Sequence, residues 1–479
     1  MDSKTIIIIG VAAMLIASLF ASLLRLKRGI GLFSFFYADK SLRVSQVTHL
    51  LLSSSFAMNG LLYQAYLGFK IGWAAILLQV LWCLSFILLS SKAGRIKQLT
   101  KNGTLHSAIS SFFGTTAGKL AAVATIIGFT IQIGWELIVG VSVFGNSFTD
   151  NPDYSWWLII AITGICIIYT ISGGLKGSVV ANVLQNWVAI VALFIICGFL
   201  MINYNPTSIE RPWDGGSVGR LFSELGISFF ITNALFSIFW QFVDFSAWQN
   251  LASGEGDKKQ AKSSLYWSSL WIFFFPGVVG TIAGLYLRGT AAVDPNNLFP
   301  YIINLISSNP FLLVITVAGC VAAMLSTIDG LLLASSQAAL WDLFFTKEVY
   351  DSNATGNPTT QKKLTNYGRI FILIFGLIGS AFIYYITIQF KVDIFSLVYL
   401  VVIAQMVLVP VVLLLLFSKS DSKFKFGSLS IGAGLLSGIV IVSYGISKGD
   451  QNLLVWSPTI CLGISCVPQI FNLLKKAHV

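Results

Sequence analysis

His49-Leu50-Leu51-Leu52-Ser53-Ser54-Ser55-Phe56-Ala57-Met58-Asn59-Gly60-Leu61-Leu62-Tyr63-Gln64-Ala65-Tyr66-Leu67-Gly68-Phe69 is apolar enough and long enough to cross a bilayer, yet Ser53, Ser54, Ser55, Asn59, Gly60 and Gln64 sit near its middle. Polar groups in hydrocarbon are costly unless they face protein or a water-filled cavity. A helix broken there would expose carbonyls, which is how many secondary transporters build a midplane site. A second stretch of this kind runs from Ile231 to Ser253 (ITNALFSIFWQFVDFSAWQNLAS), with Asn233, Ser237, Gln241 and Asp244 inside it. The competing reading is that small polar residues mediate helix packing. The second stretch lies five spans after the first, the spacing expected of two inverted five-helix repeats.

The whole chain supports a membrane setting. Of 479 residues, 56% are hydrophobic and 10% charged, and mean hydropathy is +0.82. A soluble domain carries about 25% charged residues. The composition therefore excludes one large soluble enzyme, a disordered chain or a nucleic-acid binder, and leaves an all-α polytopic membrane protein. Apolar runs predict thirteen spans, at 5–26, 46–67, 71–92, 118–147, 155–173, 178–202, 222–248, 264–288, 311–344, 367–389, 393–418, 427–446 and 453–474. They are called spans one to thirteen below.

Basic residues give the sidedness. Arg25, Lys27 and Arg28 follow the first apolar run instead of preceding it, which predicts a retained helix with its amino end outside. Threading thirteen spans from there puts 23 of the 30 Lys and Arg on the inner side. Only Lys4, Lys70, Arg211, Arg220, Arg288, Lys391 and Lys448 fall outside. A missed or extra span would scramble this bias, so count and topology support each other. The net charge of +11 is then mostly a cytoplasmic fringe, consistent with a multi-pass protein of the cytoplasmic (inner) membrane with its carboxyl end inside, and calls for no nucleic-acid partner.

Other motifs are scarce. Cys83, Cys166, Cys197, Cys320, Cys461 and Cys466 fall in apolar runs without metal spacing, and His49, His106 and His478 form no ligand set. His49 is expected at the inner interface. No P-loop, HExxH or Ser/His/Asp arrangement occurs, so neither ATP-driven transport nor an enzyme is expected. Span nine carries Ala322-Ala323-Met324-Leu325-Ser326-Thr327-Ile328-Asp329-Gly330-Leu331-Leu332-Leu333-Ala334-Ser335-Ser336 and ends at Trp341-Asp342-Leu343. Its hydroxyls could simply bond back to carbonyls one turn earlier. Adjacent hydroxyls beside broken-helix carbonyls would also suit Na⁺, a hard cation that prefers oxygen ligands.

Three segments carry a family resemblance. Tyr169-Thr170-Ile171-Ser172-Gly173-Gly174-Leu175-Lys176-Gly177 through Gln185 resembles the YTxxGGLxAVxxTDxxQ signature of the sodium:solute symporter family. The 322–336 run resembles its AAxMSTxDSxLLxxSS segment, and residues 240–253 are similar to its fGxPxxWQRxLAA stretch. The resemblance covers about spans one to eleven. It implies a LeuT-like inverted repeat of five plus five helices with extra terminal helices. Residues 1–45 would form the extra first helix and linker, 46–221 and 222–420 the two repeats, and 421–479 two further helices. The family's sodium site, carried over, implies carbonyls of Ser53, Phe56 and Ala323 and hydroxyls of Ser326 and Thr327. The register of span two rests on GFKIGWA (68–74) resembling GYxxGLA.

The departures matter too. The family's Thr-Asp pair is Ala181-Asn182, which implies loss of a second cation site and one sodium per cycle. The WQR arginine is Asn250, and a polar position of sugar-binding members is Gly60, which argues against a pocket like theirs. For the solute, Gly60, Gln79, Glu136, Ser237, Trp240 and Gln241 are the candidates. Gln79 corresponds to a polar contact in sugar-binding members. Glu136 either binds a substrate ammonium or sits solvated near the outer end. Trp240 is an aromatic gate or a packing residue. Asp329 is expected to be a packing acid, and Asp342 is expected at the interface. The resulting expectation is a symporter of Na⁺, the coupling ion, with a small polar organic solute in a lipid bilayer. A proton-coupled or uncoupled permease, with Glu136 carrying the proton, is the alternative. A solute sensor is a second alternative, for which the four residues after Lys475 offer no signalling domain.

Overall fold

In the computed structural model, residues 2–24, 31–101, 103–145, 153–203, 216–288, 294, 297–390, 394–419 and 422–477 are described. Arg25, Lys27, Arg28, Arg211, Lys391 and His478 lie outside them. The described residues are helical apart from turns and one isolated bridge between Leu42 and Gly254. Eleven stretches are long and apolar enough to cross a membrane. Two of these, Met58–Ser90 and Trp156–Asn203, have 33 and 48 residues. At about 1.5 Å per residue they far exceed a hydrocarbon core of about 30 Å. Each turns at a glycine with positive φ: Gly72 at 63° and Gly174 at 53°. A side chain at Gly174 would also collide with Phe35, whose carbonyl oxygen lies 2.7 Å from the position of a Cβ. Divided at these glycines, the eleven stretches become the thirteen spans read from the apolar runs.

Spans two and seven are broken as the polar residues within them suggest. Span two is Val44–Ser53 followed by Met58–Ile71, with residues 54–57 outside any helix. Span seven is Gly226–Val243 followed by Phe245–Ser253, with Asp244 extended between them (φ −65°, ψ 102°). Spans eight and nine each loosen into a π-helical turn, at Phe273–Val279, which contains Pro276, and at Ala338–Phe344.

Span nine lies at the centre, and every residue from Gly319 to Asp329 is buried. Span twelve is peripheral and exposes Leu436, Ile439, Val440 and Tyr444, an apolar face suited to lipid. Among the described residues, the basic residues assigned inside meet one another's segments at one end of the bundle. Lys176 pairs with Asp39 at 2.5 Å, Arg95 donates to the Ser418 carbonyl at 3.2 Å, and Lys423 to that of Ser111. Lys97 donates to the Gly254 carbonyl at 2.6 Å. Burial, and then the nearby Lys40 charge, push the Lys97 ammonium down to about 8. At the other end Lys70 faces Glu224 at 3.9 Å.

Spans two and eight cross so closely that only glycine fits. A Cβ on Gly284 would lie 2.0 Å from the Ala65 carbonyl oxygen, and one on Gly68 would lie 2.5 Å from that of Thr281. Small residues permit such approach between membrane helices. Gly284→Ala is expected to force the helices apart at a cost of about 1–3 kcal/mol. Thermal unfolding in detergent checks this; an unchanged midpoint would mean the crossing is slack.

Candidate functional site

The broken ends of span two meet span nine. Val44–Ser53 ends inside the bundle, where its last carbonyls lack helical partners. Span nine presents Ser326 and Thr327 to them because both lie on its buried centre. Thr327 Oγ1 donates to the Ser53 carbonyl at 2.9 Å and approaches that of Ala323 at 3.2 Å. Ser326 Oγ donates to the Ala323 carbonyl at 3.0 Å. Four of the five groups named from the sequence therefore form one cluster of neutral oxygens. The fifth, Phe56, lies within the break, its amide bonded to the Leu52 carbonyl at 2.7 Å. An all-oxygen, uncharged donor set fits a hard monovalent cation.

Asn186, on span six, holds this cluster from behind and was not singled out in the sequence. Its Nδ2 donates to the His49 carbonyl at 2.9 Å and to Ser53 Oγ at 3.1 Å. His49, expected at the inner interface, is covered by protein. It is buried beside Asn186 and Trp271. Asn182, one turn before Asn186, donates to Asp329 Oδ1 at 3.3 Å. Asp329 thus puts a carboxylate beside the position where the resemblance expects one and the sequence has Asn182. Asp342, expected at the interface, is covered by protein: it accepts from Thr104 Oγ1 at 2.7 Å and meets His106 Nδ1 at 2.9 Å, and all three are buried.

A cavity of about 370 Å³ opens from the break toward the end of the bundle that carries Lys70 and Glu224. Its volume is that of a small-ligand site. Span two lines it from Ser54 to Tyr66, span seven from Leu225 to Trp240, and spans three, four and eleven close it. Gly60, Gln79, Ser237 and Trp240 all line it. The ring of Trp240 stacks on Trp82 at 5.9 Å and meets Phe236 edge-on at 4.9 Å, making an aromatic wall. Gln79 Nε2 reaches the Ile272 carbonyl at 3.2 Å. Tyr63 donates to Asn233 Oδ1 at 2.8 Å and so ties the two broken spans together beside the cavity. A second, much smaller cavity of about 20 Å³ touches Ser326, Thr327 and Asn182, and Ser54 lines both. The break is therefore the partition between them.

Two candidates do not line the cavity. Gln241 is fully buried, with its amide N–H bonded to Ser85 Oγ at 3.2 Å, because one residue after Trp240 a helix has turned by about 100°. Glu136 is neither solvated nor aimed into the cavity. Its Oε1 accepts from the Met58 amide at 2.5 Å and its Oε2 from that of Asn59 at 3.2 Å. It caps the helix Met58–Ile71, whose first amides have no partners within the helix. Its neighbours Gln132 and Trp135 do line the cavity, and nothing in an apolar span singles them out.

Comparison with known proteins accords with this geometry. The profile of the sodium:solute symporter family matches residues 263–425. The sodium/proline symporter of Haemophilus influenzae is 25% identical over 340 residues, spanning 67% of this chain and 65% of its own length. Among solved structures, a Na⁺-coupled sialic acid symporter in a substrate-bound outward-open state superposes with a TM-score of 0.75 at 14% identity. That match covers 98% of this chain and 97% of the other. A nucleobase-cation-symport-1 family transporter, closed around bromovinylhydantoin, gives a TM-score of 0.59 at 13% identity, covering 95% and 96%. At such identities the structures speak for the fold alone. The fold is LeuT-like, the resemblance read from the three sequence segments is borne out, and the match is to secondary transporters rather than enzymes.

Proposed function

We propose that this chain, matched to the sodium:solute symporter family and folded like its transporters, couples the downhill entry of Na⁺ to uptake of a small polar organic solute. One observation carries the reading: oxygens of Ser53, Ala323, Ser326 and Thr327 converge between a broken helix and span nine, beside a solute-sized cavity. Na⁺, with the Phe56 carbonyl as a fifth ligand, would bridge the two elements and favour the arrangement in which the cavity is open. Residues 46–221 and 222–420 serve as the two inverted repeats that rock against each other. Ion and solute must then raise each other's affinity by the same factor. An inside-negative potential adds about 2.3 kcal/mol per charge per 100 mV.

The charge fringe favours an amino end outside and a carboxyl end inside a cytoplasmic membrane. The cavity then faces outward. The proline of the Haemophilus influenzae relative is one solute to try. Uptake into proteoliposomes is expected to fall to background when external sodium is replaced by potassium. Undiminished uptake in potassium would favour a proton-coupled or uncoupled permease. The capping role of Glu136 speaks against that alternative, since its two oxygens already serve backbone amides.

A further inference from the structure

We propose that the transported solute is uncharged and hydrogen-bonding, because Glu136 and Asp244 already occupy the two helix ends on which an anionic solute would dock. The inference rests on the transport reading above and narrows its substrate class. A broken span presents a helix N-terminus to the middle of the membrane. Free amides there attract negative charge, and transporters with broken helices aim such ends at anionic solute groups. In this chain both ends are filled from within. Glu136 reaches across from span four to the amides of Met58 and Asn59. At the second break, Asp244 Oδ1 accepts from the Ser246 amide at 2.9 Å and from Ser246 Oγ at 2.7 Å. The two acids are 0% and 2% exposed, and neither lines the cavity. They lie on different elements and satisfy different helices, so the two observations are independent.

The cavity itself agrees. No described residue that lines it is charged. A solute carboxylate would lose its water, find both helix ends already filled and find no cation to pair with. A cationic solute would find aromatic faces at Trp82, Phe236 and Trp240, but both nearby carboxylates are engaged by backbone amides. A neutral solute finds what it needs. Asn59 Nδ2, Trp135 Nε1 and Trp240 Nε1 are buried donors, and Gln132 Oε1 a buried acceptor, all without a hydrogen-bond partner among the described residues. All four residues belong to the cavity wall. The complement is a compact molecule with both acceptor and donor groups and an apolar face, such as an amide, lactam or polyol.

The test measures sodium-driven uptake by the full chain in proteoliposomes for matched pairs: nicotinamide with nicotinate, lactamide with lactate, and acetamide with acetate. Choline serves as the cationic probe. The neutral partner is expected to exceed the charged one by about tenfold or more. A panel in which no neutral member exceeds its partner, or in which choline exceeds them all, overturns the inference. Repeating the panel in potassium separates the two levels. A neutral preference that persists undiminished there sinks sodium coupling but keeps the solute class. A sodium-dependent preference for the carboxylates does the reverse. The role of Glu136 is tested by Glu136→Ala with added formate. Uptake of the neutral probes is expected to fall about tenfold and to recover with formate, which refills the helix end. Thermal unfolding gives a second readout: formate should raise the midpoint of the variant and not of the wild type. If formate moves neither quantity, the helix end does not depend on a carboxylate and the assignment falls.

Discussion

The double variant Ser326→Ala, Thr327→Ala is expected to raise the sodium concentration for half-maximal uptake by about 100-fold, the upper end of the loss that removing even an outer-shell partner of a metal site causes. Both hydroxyls belong to the cluster that joins span nine to the carbonyls of Ser53 and Ala323. Their loss removes two oxygens and leaves carbonyls that a methyl group cannot bridge. Thr327→Ser keeps a hydroxyl at the same atom and should retain most of the sodium affinity. This comparison separates a lost ligand from a general loss of packing. Sodium-dependent thermal stabilisation gives an independent reading. Wild type should gain about 2.7 kcal/mol at a sodium concentration 100 times its dissociation constant, and the double variant should gain almost nothing. Unchanged sodium dependence in the double variant would place the site elsewhere.

Ser237→Trp is expected to separate the two binding events. Ser237 lies in the regular helix Gly226–Val243 and lines the cavity of about 370 Å³ four residues beyond Asn233. An indole there projects into the space reserved for solute, beside the wall of Trp82, Phe236 and Trp240. Solute uptake should fall by about 100-fold, since overpacking an occupied site costs several kcal/mol. Sodium should still stabilise the protein against heat, because the oxygen cluster proposed to hold it lies across the break at Ser54 and is not touched. Loss of both responses would argue that the cavity and the cluster are one site. Retained uptake would mean the solute passes by another route.

The elements were legible because bilayer crossing imposes a local rule. About twenty apolar residues must follow one another, and the count of basic residues on each side checks the threading. The breaks were legible for the same reason. Ser53, Ser54, Ser55 and Asp244 are conspicuous in hydrocarbon, and the chain leaves the helix at or directly after each of them. The pairing of Ser326 and Thr327 with Ser53 was reached through a family motif, not from physics, and the geometry brings these groups together.

The errors fall where a residue's surroundings come from a different span. Glu136 was read as solvated or as a substrate ligand because its nearest sequence neighbours offer no partner; its partners are amides 78 and 77 residues away. Asp342 was read from its place at the end of span nine, and its partners, Thr104 and His106, lie far earlier in the chain. Gln241 was singled out as a polar residue of a broken span, whereas the turn of about 100° after Trp240 takes it off the cavity wall. Asn186 carried no signal, because an amide in an apolar span looks the same whether it faces lipid, packing or a site.

The sequence by itself determined that this is an all-helical polytopic membrane protein, where its helices run and which two of them break. Those properties depend on burial in hydrocarbon, which acts residue by residue along the chain. Only the tertiary structure decided that Glu136 and Asp244 face backbone amides and not the cavity. A buried carboxylate must find donors wherever the packed helices supply them, and the helix that supplies them is not written near it in the chain.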